Sequence, residues 1–596
     1  MIRAVLTDSP VSGAPRVSRP TLVEAAALLT TLALLAAVGV WWLEHTRRGQ
    51  LFDIDESGYQ AMALAQLEAW RSGGWSGWLA EVRHPSAYAV LVPAVTAPVL
   101  ALLGPDSVHA MLVPLGFSLA TVALGYLLGR RIAGRAGAVL TAGGLLASPL
   151  FVDYSRMYSF ASASAAFAVL ALLLVSSGGG VLLGRLHSVL AGAAVGLFVL
   201  SRTMNVAFLP AFAAIAVLSV LAGPERRTRA GNAVLAAVAA ALVAGPWYWV
   251  SRDAVADYLL GVGYGERSRE YGESQSAVLP SSWLETLRYA LESNQLLSVA
   301  WWLLGLVGVV VVAARLAVRA ARAGRLRVWL GAACRSPLMP VLVWVGFGLV
   351  MLTSTGTKGT GFLLPFAPGF AALTAWVVVR LATVPRRVAY AYLAGTVAVQ
   401  LLAANQWLPD ALRPDPIRVP GIGTVVVVHE QPLFDRSSDS WVAAVRPDLT
   451  TREAGARWVR LNLAVAEQLA ADDPPVLTTF GFRHQLINPN SLRLAQLRTG
   501  LPVSQVASLQ PELVTSLQTV TEELSVGSLA GTCRLLTARG EWFEFEPRLD
   551  QALVTRAAWD TGFTPVGVVE LPDGRKMREW QRRATCPPQG TVVLAP

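Results

Sequence analysis

Residues 22–43 read LVEAAALLTTLALLAAVGVWWL, and this stretch decides the class of the chain. It is almost wholly apolar and about the ~20 residues a helix needs to cross ~30 Å of hydrocarbon. It closes on Trp41 and Trp42, side chains that favour the membrane–water boundary. The run is too long and too aromatic at its end for a cleaved signal peptide, so it reads as an anchor. Outward from it, similar uncharged runs recur through the first two-thirds of the 596 residues. Only 15% of the chain is charged, against roughly 25% in soluble domains. The expected architecture is an α-helical polytopic membrane protein. Eleven crossings are expected, at 21–43, 108–129, 136–152, 160–178, 187–202, 205–222, 231–250, 296–314, 337–353, 362–380 and 388–406. Leu91–Leu103 is apolar but short, and Tyr88–Gly104 reads as a juxtamembrane or partly embedded helix.

The formal charge of +10 is local. From Trp407 onward there are 19 Lys+Arg and 21 Asp+Glu, so the excess belongs to the membrane part. Arginines cluster there at Arg130, Arg131 and Arg135, at Arg226, Arg227 and Arg229, between Arg315 and Arg335, and at Arg386 and Arg387. The positive-inside rule puts these loops in the cytoplasm, which accounts for the basic patches without nucleic acid as a partner. The expected organisation is then a cytoplasmic tail at 1–20, a transmembrane domain at 21–406 with outer loops 44–107 and 251–295, a Pro-rich linker at 407–420, and an extracytoplasmic α/β domain at 421–596. In that last domain Thr451–Leu469, Leu492–Arg498 and Gln551–Trp559 have helical patterns, while Thr424–His429, Pro475–Phe480, Arg534–Thr537 and Val566–Leu571 read as strands. The alternation suggests a Rossmann-like sheet without the G-x-G-x-x-G turn of a dinucleotide site. Cys533 and Cys586 both fall there. An oxidising compartment would allow them to pair, though two cysteines alone do not establish a bond.

Chemistry concentrates on the outer side. Asp53-Ile54-Asp55-Glu56-Ser57-Gly58-Tyr59 packs three carboxylates into four positions just beyond the first span. A carboxylate at the edge of lipid holds a proton more readily, which suits base chemistry on a hydroxyl. Asp55 is the expected base, with Glu56 orienting it or holding a divalent cation. An interfacial lid with solvated acids is the plainer alternative. Lys358, in Thr353-Ser354-Thr355-Gly356-Thr357-Lys358-Gly359-Thr360, is one of two lysines in the chain. It lies on the side where the orientation rule does not place positive charge, and an ammonium among small residues can meet a phosphate. Arg156 in Tyr154-Ser155-Arg156-Met157-Tyr158 ends an expected span. Arg202 lies between two short apolar halves, where an unpaired charge is costly. The loop 251–295 adds Tyr264, Glu266, Arg267, Glu270 and Glu273, a mixture equally suited to gripping an acceptor or to solvent.

At these residues the chain resembles the GT-C superfamily of membrane glycosyltransferases, in particular bacterial protein O-mannosyltransferases and lipid A aminoarabinose transferases. Asp55-Glu56-Ser57-Gly58-Tyr59 is similar to the family's Asp-Glu followed by Tyr in the first outer loop. His84-Pro85-Ser86-Ala87-Tyr88 resembles its His-Pro-Pro-Leu-Tyr, departing at the second proline. Arg130 through Arg135 resembles the basic turn after the second span, and Ser155-Arg156-Met157-Tyr158 its Ser/Ala-Arg-x-Tyr. Many members carry an aspartate shortly after that arginine, where this chain has Ser159-Phe160-Ala161-Ser162. Lys358 through Pro368 resembles a basic residue before aromatic-Leu-Leu-Pro-x-x-Pro. The likeness covers roughly 20–400.

The resemblance implies transfer of a sugar from a polyprenyl-phosphate donor to a protein, polysaccharide or glycolipid acceptor at the outer face of the membrane. Asp55 would act as general base, Lys358, Arg156 and Arg202 on the donor phosphate, and Tyr59, His84, Tyr88 and Tyr158 on the substrates. A monophosphate donor requires no metal or other cofactor, and a divalent cation stays possible. The alternative from another class is a transporter or flippase of lipid-linked sugars. It would also use many spans, but no matching pair of interrupted spans is found in the two halves.

Overall fold

Backbone in lipid must satisfy its own hydrogen bonds, and the apolar runs accordingly form helices. The computed structural model describes residues 21–50, 52–222, 225–263, 277–355, 360–380, 385–412, 417–428, 446–472, 475–539, 542–544, 547–582 and 586. Lys358 and residues 264–276 of the expected outer loop 251–295 lie outside them.

In chain order the helices begin with α1 (Leu22–Trp42), α2 (Ile54–Val82), α3 (Leu91–Leu103), α4 (Ser107–Leu146) and α5 (Pro149–Tyr154). There follow α6 (Ala161–Val175), α7 (Arg185–Ser201), α8 (Leu209–Ala222), α9 (Arg226–Val250) and α10 (Pro280–Ser293). The apolar series ends with α11 (Leu296–Arg322), α12 (Leu326–Arg335), α13 (Leu338–Ser354), α14 (Ala367–Arg380) and α15 (Arg386–Ala404). Among the described residues six helices are long and apolar enough to cross a membrane, or seven if α12 and α13, bent by 84°, count as one span. Other expected crossings fall on the shorter apolar helices α6, α7 and Leu364–Arg380.

Two compact units result, one of Met1–Trp41, Arg83–Val92 and Leu112–Gln431, the other of Trp42–Val82, Pro93–Met111 and Pro432–Pro596. In the first, α4 doubles back at Gly134, whose φ of 70° suits glycine. On either side of that reversal a Cβ on Gly129 would lie 2.5 Å from the Gly137 carbonyl oxygen, so the two arms touch backbone to backbone. The expected spans 108–129 and 136–152 thus fall on the two arms, the second continuing into α5. Arg130 and Arg135 at the turn both pair with Glu24 at the start of α1, at 2.8 and 2.7 Å. Gly192 and Gly196 of α7 face α9 with no room for a side chain, the close approach that small residues four apart allow between helices.

The second unit holds the acid loop and the C-terminal sheet. Its helices are α2 and, further on, α16 (Arg452–Ala470), α17 (Pro489–Thr499), α18 (Leu517–Ser525) and α19 (Gln551–Asp560). Strands β1 (Ile417–Val419) and β2 (Gly423–Val425) form a small hairpin belonging to the first unit. The main sheet has β3 (Leu477–Phe480), β4 (Val506–Ser508), β5 (Thr532–Ala538), β6 (Phe563–Glu570) and β7 (Lys576–Arg582) in the order β4-β3-β5-β7-β6. β3 runs parallel to β4 and β5, while β7 is antiparallel to both β5 and β6. The parallel half is the Rossmann-like part, and the antiparallel half departs from that expectation. A disulfide joins Cys533 on β5 to Cys586 just after β7.

Candidate active site

The first unit gathers three of the expected segments. Ser148 caps α5 with its side chain; the helix carries Asp153 in its last turn, and Arg156 lies just past its end. Both are buried. The Arg156 guanidinium donates from Nη1 to the carbonyl oxygen of Ala404 at 3.1 Å, and Asp153 attracts it. Tyr158 is fully buried beside them in sequence. Arg202 stands in extended backbone where α7 stops, its guanidinium 3.8 Å above the Phe362 ring. A Cβ on Gly361 would lie 3.2 Å from Arg202 Nη1 and 3.1 Å from a Tyr154 ring carbon, so the 154, 202 and 361 segments converge at one corner. Lys358 precedes that corner by three residues. The 86–88 segment is tied in as well, because Thr203 Oγ1 donates to the Ala87 carbonyl at 2.7 Å. Tyr88 is 45% exposed with its ring 5.9 Å from Tyr258, and His84 is exposed.

Arg156 also borders a small cleft that is partly open to the outside. Leu35, Val38, Leu115, Leu119, Val122 and Leu401 wall it, and Ser118, Ser155 and Arg156 supply its polar lining. The carboxylate Asp153 is the feature that sequence reading passed over. Its signal was an acid at the end of an apolar run three residues before a buried arginine.

The second unit holds Asp55, Glu56 and Tyr59. Asp53 Oδ1 accepts the amide N–H groups of Asp55 and Glu56 at 2.8 Å each, which caps α2 and satisfies two otherwise unpaired donors. Asp55 is exposed at the first turn, whereas Glu56 is buried in an ion pair with Arg47, itself 2% exposed. Arg47 lies 4.6 Å from the Phe52 ring centre, and Arg498 of α17 lies 5.1 Å from the same ring. Burial lowers the Arg498 pKa to about 10, with Asp106 opposing that shift and Arg47 adding to it, so the guanidinium stays charged at neutral pH. Among the described residues no three His, Cys, Asp or Glu side chains converge as metal ligands do.

Residues 84–249 match the family described as dolichyl-phosphate-mannose-protein mannosyltransferase. A comparison with curated proteins finds no match. Among solved structures, the fold is similar to that of ArnT from Cupriavidus metallidurans bound to undecaprenyl phosphate. That likeness has 16% identity over 95% of this chain and 100% of ArnT, with a TM-score of 0.51. The apo state of the same ArnT gives 16% identity over the same shares and a TM-score of 0.50. AglB, the oligosaccharyltransferase of Archaeoglobus fulgidus, superposes more loosely, at a TM-score of 0.47 with 12% identity over 95% of this chain and 75% of its own. Residues 84–249 thus resemble the protein-mannosyltransferase family, and the chain as a whole has a fold similar to that of ArnT.

Proposed function

We propose that this chain is an inverting glycosyltransferase that moves a sugar from a polyprenyl-phosphate donor to an acceptor hydroxyl at the outer face of the cytoplasmic membrane. The observation that carries the reading is the cleft bordered by Arg156. An isoprenoid tail needs apolar walls and its phosphate needs a fixed cation; this cleft offers both. Negative charge grows on the phosphate as the glycosidic bond breaks, so preorganised guanidinium groups lower the barrier. In this reading Arg156 and Arg202 meet the phosphate, and Lys358 adds a compact third charge. Asp55 takes the proton of the acceptor hydroxyl as it attacks the anomeric carbon, and a single displacement inverts that centre. Tyr59, His84, Tyr88 and Tyr158 would contact sugar or acceptor. A divalent cation at Glu56 would compete with Arg47 for the carboxylate, and chelation of the purified protein tests for it.

Several contacts support the orientation in this reading. The pairing of Arg130 with Glu24 supports an even number of crossings between them. Residues 22–43 and 108–129 would supply two, in keeping with Leu91–Leu103 as a helix that does not cross. Arg131 bonds to the Ser176 carbonyl and Arg229 to that of Val181, which supports basic turns on one shared side, the cytoplasmic one by the positive-inside rule. The Cys533–Cys586 bond suits an oxidising compartment for the C-terminal domain.

Purified protein given a synthetic polyprenyl-phosphate hexose or pentose and an acceptor should release free polyprenyl phosphate. Asp55→Asn should lower that turnover at least ~100-fold while donor binding persists. Absence of carrier release with every such donor, or full turnover in Asp55→Asn, would overturn the assignment.

A further inference from the structure

The turn that presents Asp55 is gripped by a helix far along the chain. Asn490 Nδ2 donates to the carbonyl oxygen of Ile54 at 3.0 Å, across 436 residues of sequence. That carbonyl belongs to the same peptide unit as the Asp55 N–H, which Asp53 Oδ1 accepts at 2.8 Å. The peptide joining 54 to 55 is therefore pinned at both its oxygen and its hydrogen. Asn490 comes this close because position 58 has no side chain, since a Cβ there would lie 2.8 Å from Asn490 Nδ2. A glycine inside a helix is less favourable than alanine, and here its use is the close approach. Two turns further along α17, Arg498 Nη2 donates to Gln60 Oε1 at 3.2 Å and its guanidinium lies over Phe52. The grip thus brackets Asp55 on both sides, at 52 and 54 and again at 58 and 60.

α17 is itself rigidly held. Asn488 and Ser491 close a reciprocal capping box at its start, and Gly500 ends it in the left-handed conformation. Ser491 Oγ donates to Asn462 Oδ1 of α16 at 2.7 Å, and Leu492 and Ala495 are buried in the core of the sheet domain.

We propose that Asn490 and Arg498 are positioning residues for the Asp55 carboxylate, so that the C-terminal sheet domain serves as a clamp on the acid loop. The role rests on the reading of Asp55 as the base. A base displaced by about 1 Å loses up to ~100-fold in rate, so releasing one of two clamp contacts should reduce kcat by about 10-fold.

The test uses the full chain in detergent with a polyprenyl-phosphate sugar donor and an excess of acceptor. Asn490→Ala should lower kcat about 10-fold with donor KM within about 2-fold, and should speed amide hydrogen exchange at 54–60 while 477–582 stays protected. Gly58→Ala, which displaces Asn490, should have the same effect and add little to it in the double variant. Arg498→Met should lower kcat in the same way, with partial recovery in Arg498→Lys. Unchanged kcat in Asn490→Ala beside an inactive Asp55→Asn overturns the clamp and leaves the base intact. Full turnover in Asp55→Asn removes the base, and the positioning role with it. Faster exchange throughout 477–582 makes Asn490 a general packing residue and overturns the clamp as well.

Discussion

Arg534 and Arg156 are buried almost equally, at 0% and 3% exposure, yet their surroundings differ. Arg534 on β5 meets Asp472 through Nη1 and Nη2 at 2.9 and 3.3 Å, and its Nε lies 2.8 Å from Glu579. Two carboxylates bracket one guanidinium, so its charge is neutralised within the sheet domain. Arg156 donates to a neutral carbonyl oxygen at the wall of an apolar cleft, with Asp153 three residues before it. A guanidinium bracketed by acids is a fastening of the fold. One that meets a backbone carbonyl oxygen and the field of Asp153 at the wall of an apolar cleft is placed to meet an incoming anion as well. Burial alone therefore does not separate a structural arginine from a binding one; the partners do.

The sharpest way to break this contrast is to remove each charge in turn. Arg534→Met leaves the Asp472 and Glu579 carboxylates buried without their guanidinium, and breaking a buried pair of this kind costs about 3–5 kcal/mol. The denaturation midpoint should fall strongly while turnover per folded molecule stays near normal. Adding Glu579→Gln should recover part of the loss. A melt indistinguishable from the unaltered chain would mean that water reaches those carboxylates and that the fastening is nominal.

Arg156→Met should show the opposite pattern. A charge-assisted contact to phosphate is worth about 1.5–3 kcal/mol, so kcat/KM for the polyprenyl-phosphate donor should fall about 10- to 150-fold. The melt should move little. If the melt drops and kcat/KM holds, Arg156 is a second Arg534 and the cleft loses its cation.

The sequence carried the membrane class and most helices because apolar runs of spanning length have few alternatives to a helix. It carried the basic turn at 130–135 for the same electrostatic reason that sets orientation. β7 escaped, since Lys576-Met577-Arg578-Glu579-Trp580-Gln581-Arg582 looks too charged for a strand lying between two others. It is tolerated because Glu579 is paired with Arg534, 45 residues earlier in the chain, and no local pattern announces such a pairing. Of the site, Arg156 and Arg202 were legible as charges in apolar surroundings. Glu56 read as a partner for Asp55 or for a cation, but its neighbour is Arg47, one helix entry upstream. The hold of α17 on the acid loop lies beyond any sequence window, because it joins residues 436 apart.

The smallest effect extends the same contrast to pH. His484 is buried against Trp458 and Phe543, and its Nδ1 accepts the amides of Leu486 and Ile487 at 3.0 and 3.2 Å. Burial lowers its pKa to about 4, against the opposing pull of Asp573. Burial would raise Asp573, but the neighbouring His484 and Arg575 outweigh it and hold that carboxyl down at about 2. Both folded values lie below their unfolded ones, 6.5 for the histidine and 3.8 for the aspartate, so the unfolded chain takes up protons first. Stability from this pair is full above about pH 6.5. It is lost first through His484 as pH falls from 6.5 towards 4, and then through Asp573 towards 2, each limb at no more than about 1.4 kcal/mol per pH unit. Thermal melts between pH 7.5 and 4.5 should therefore decline by a few degrees, and His484→Gln should flatten that decline even though its melt starts lower. A His484→Gln chain that loses stability on acidification as steeply as the original would assign the proton uptake to other groups. The histidine would then be only a packed ring, with no part in the response of the sheet domain to acid.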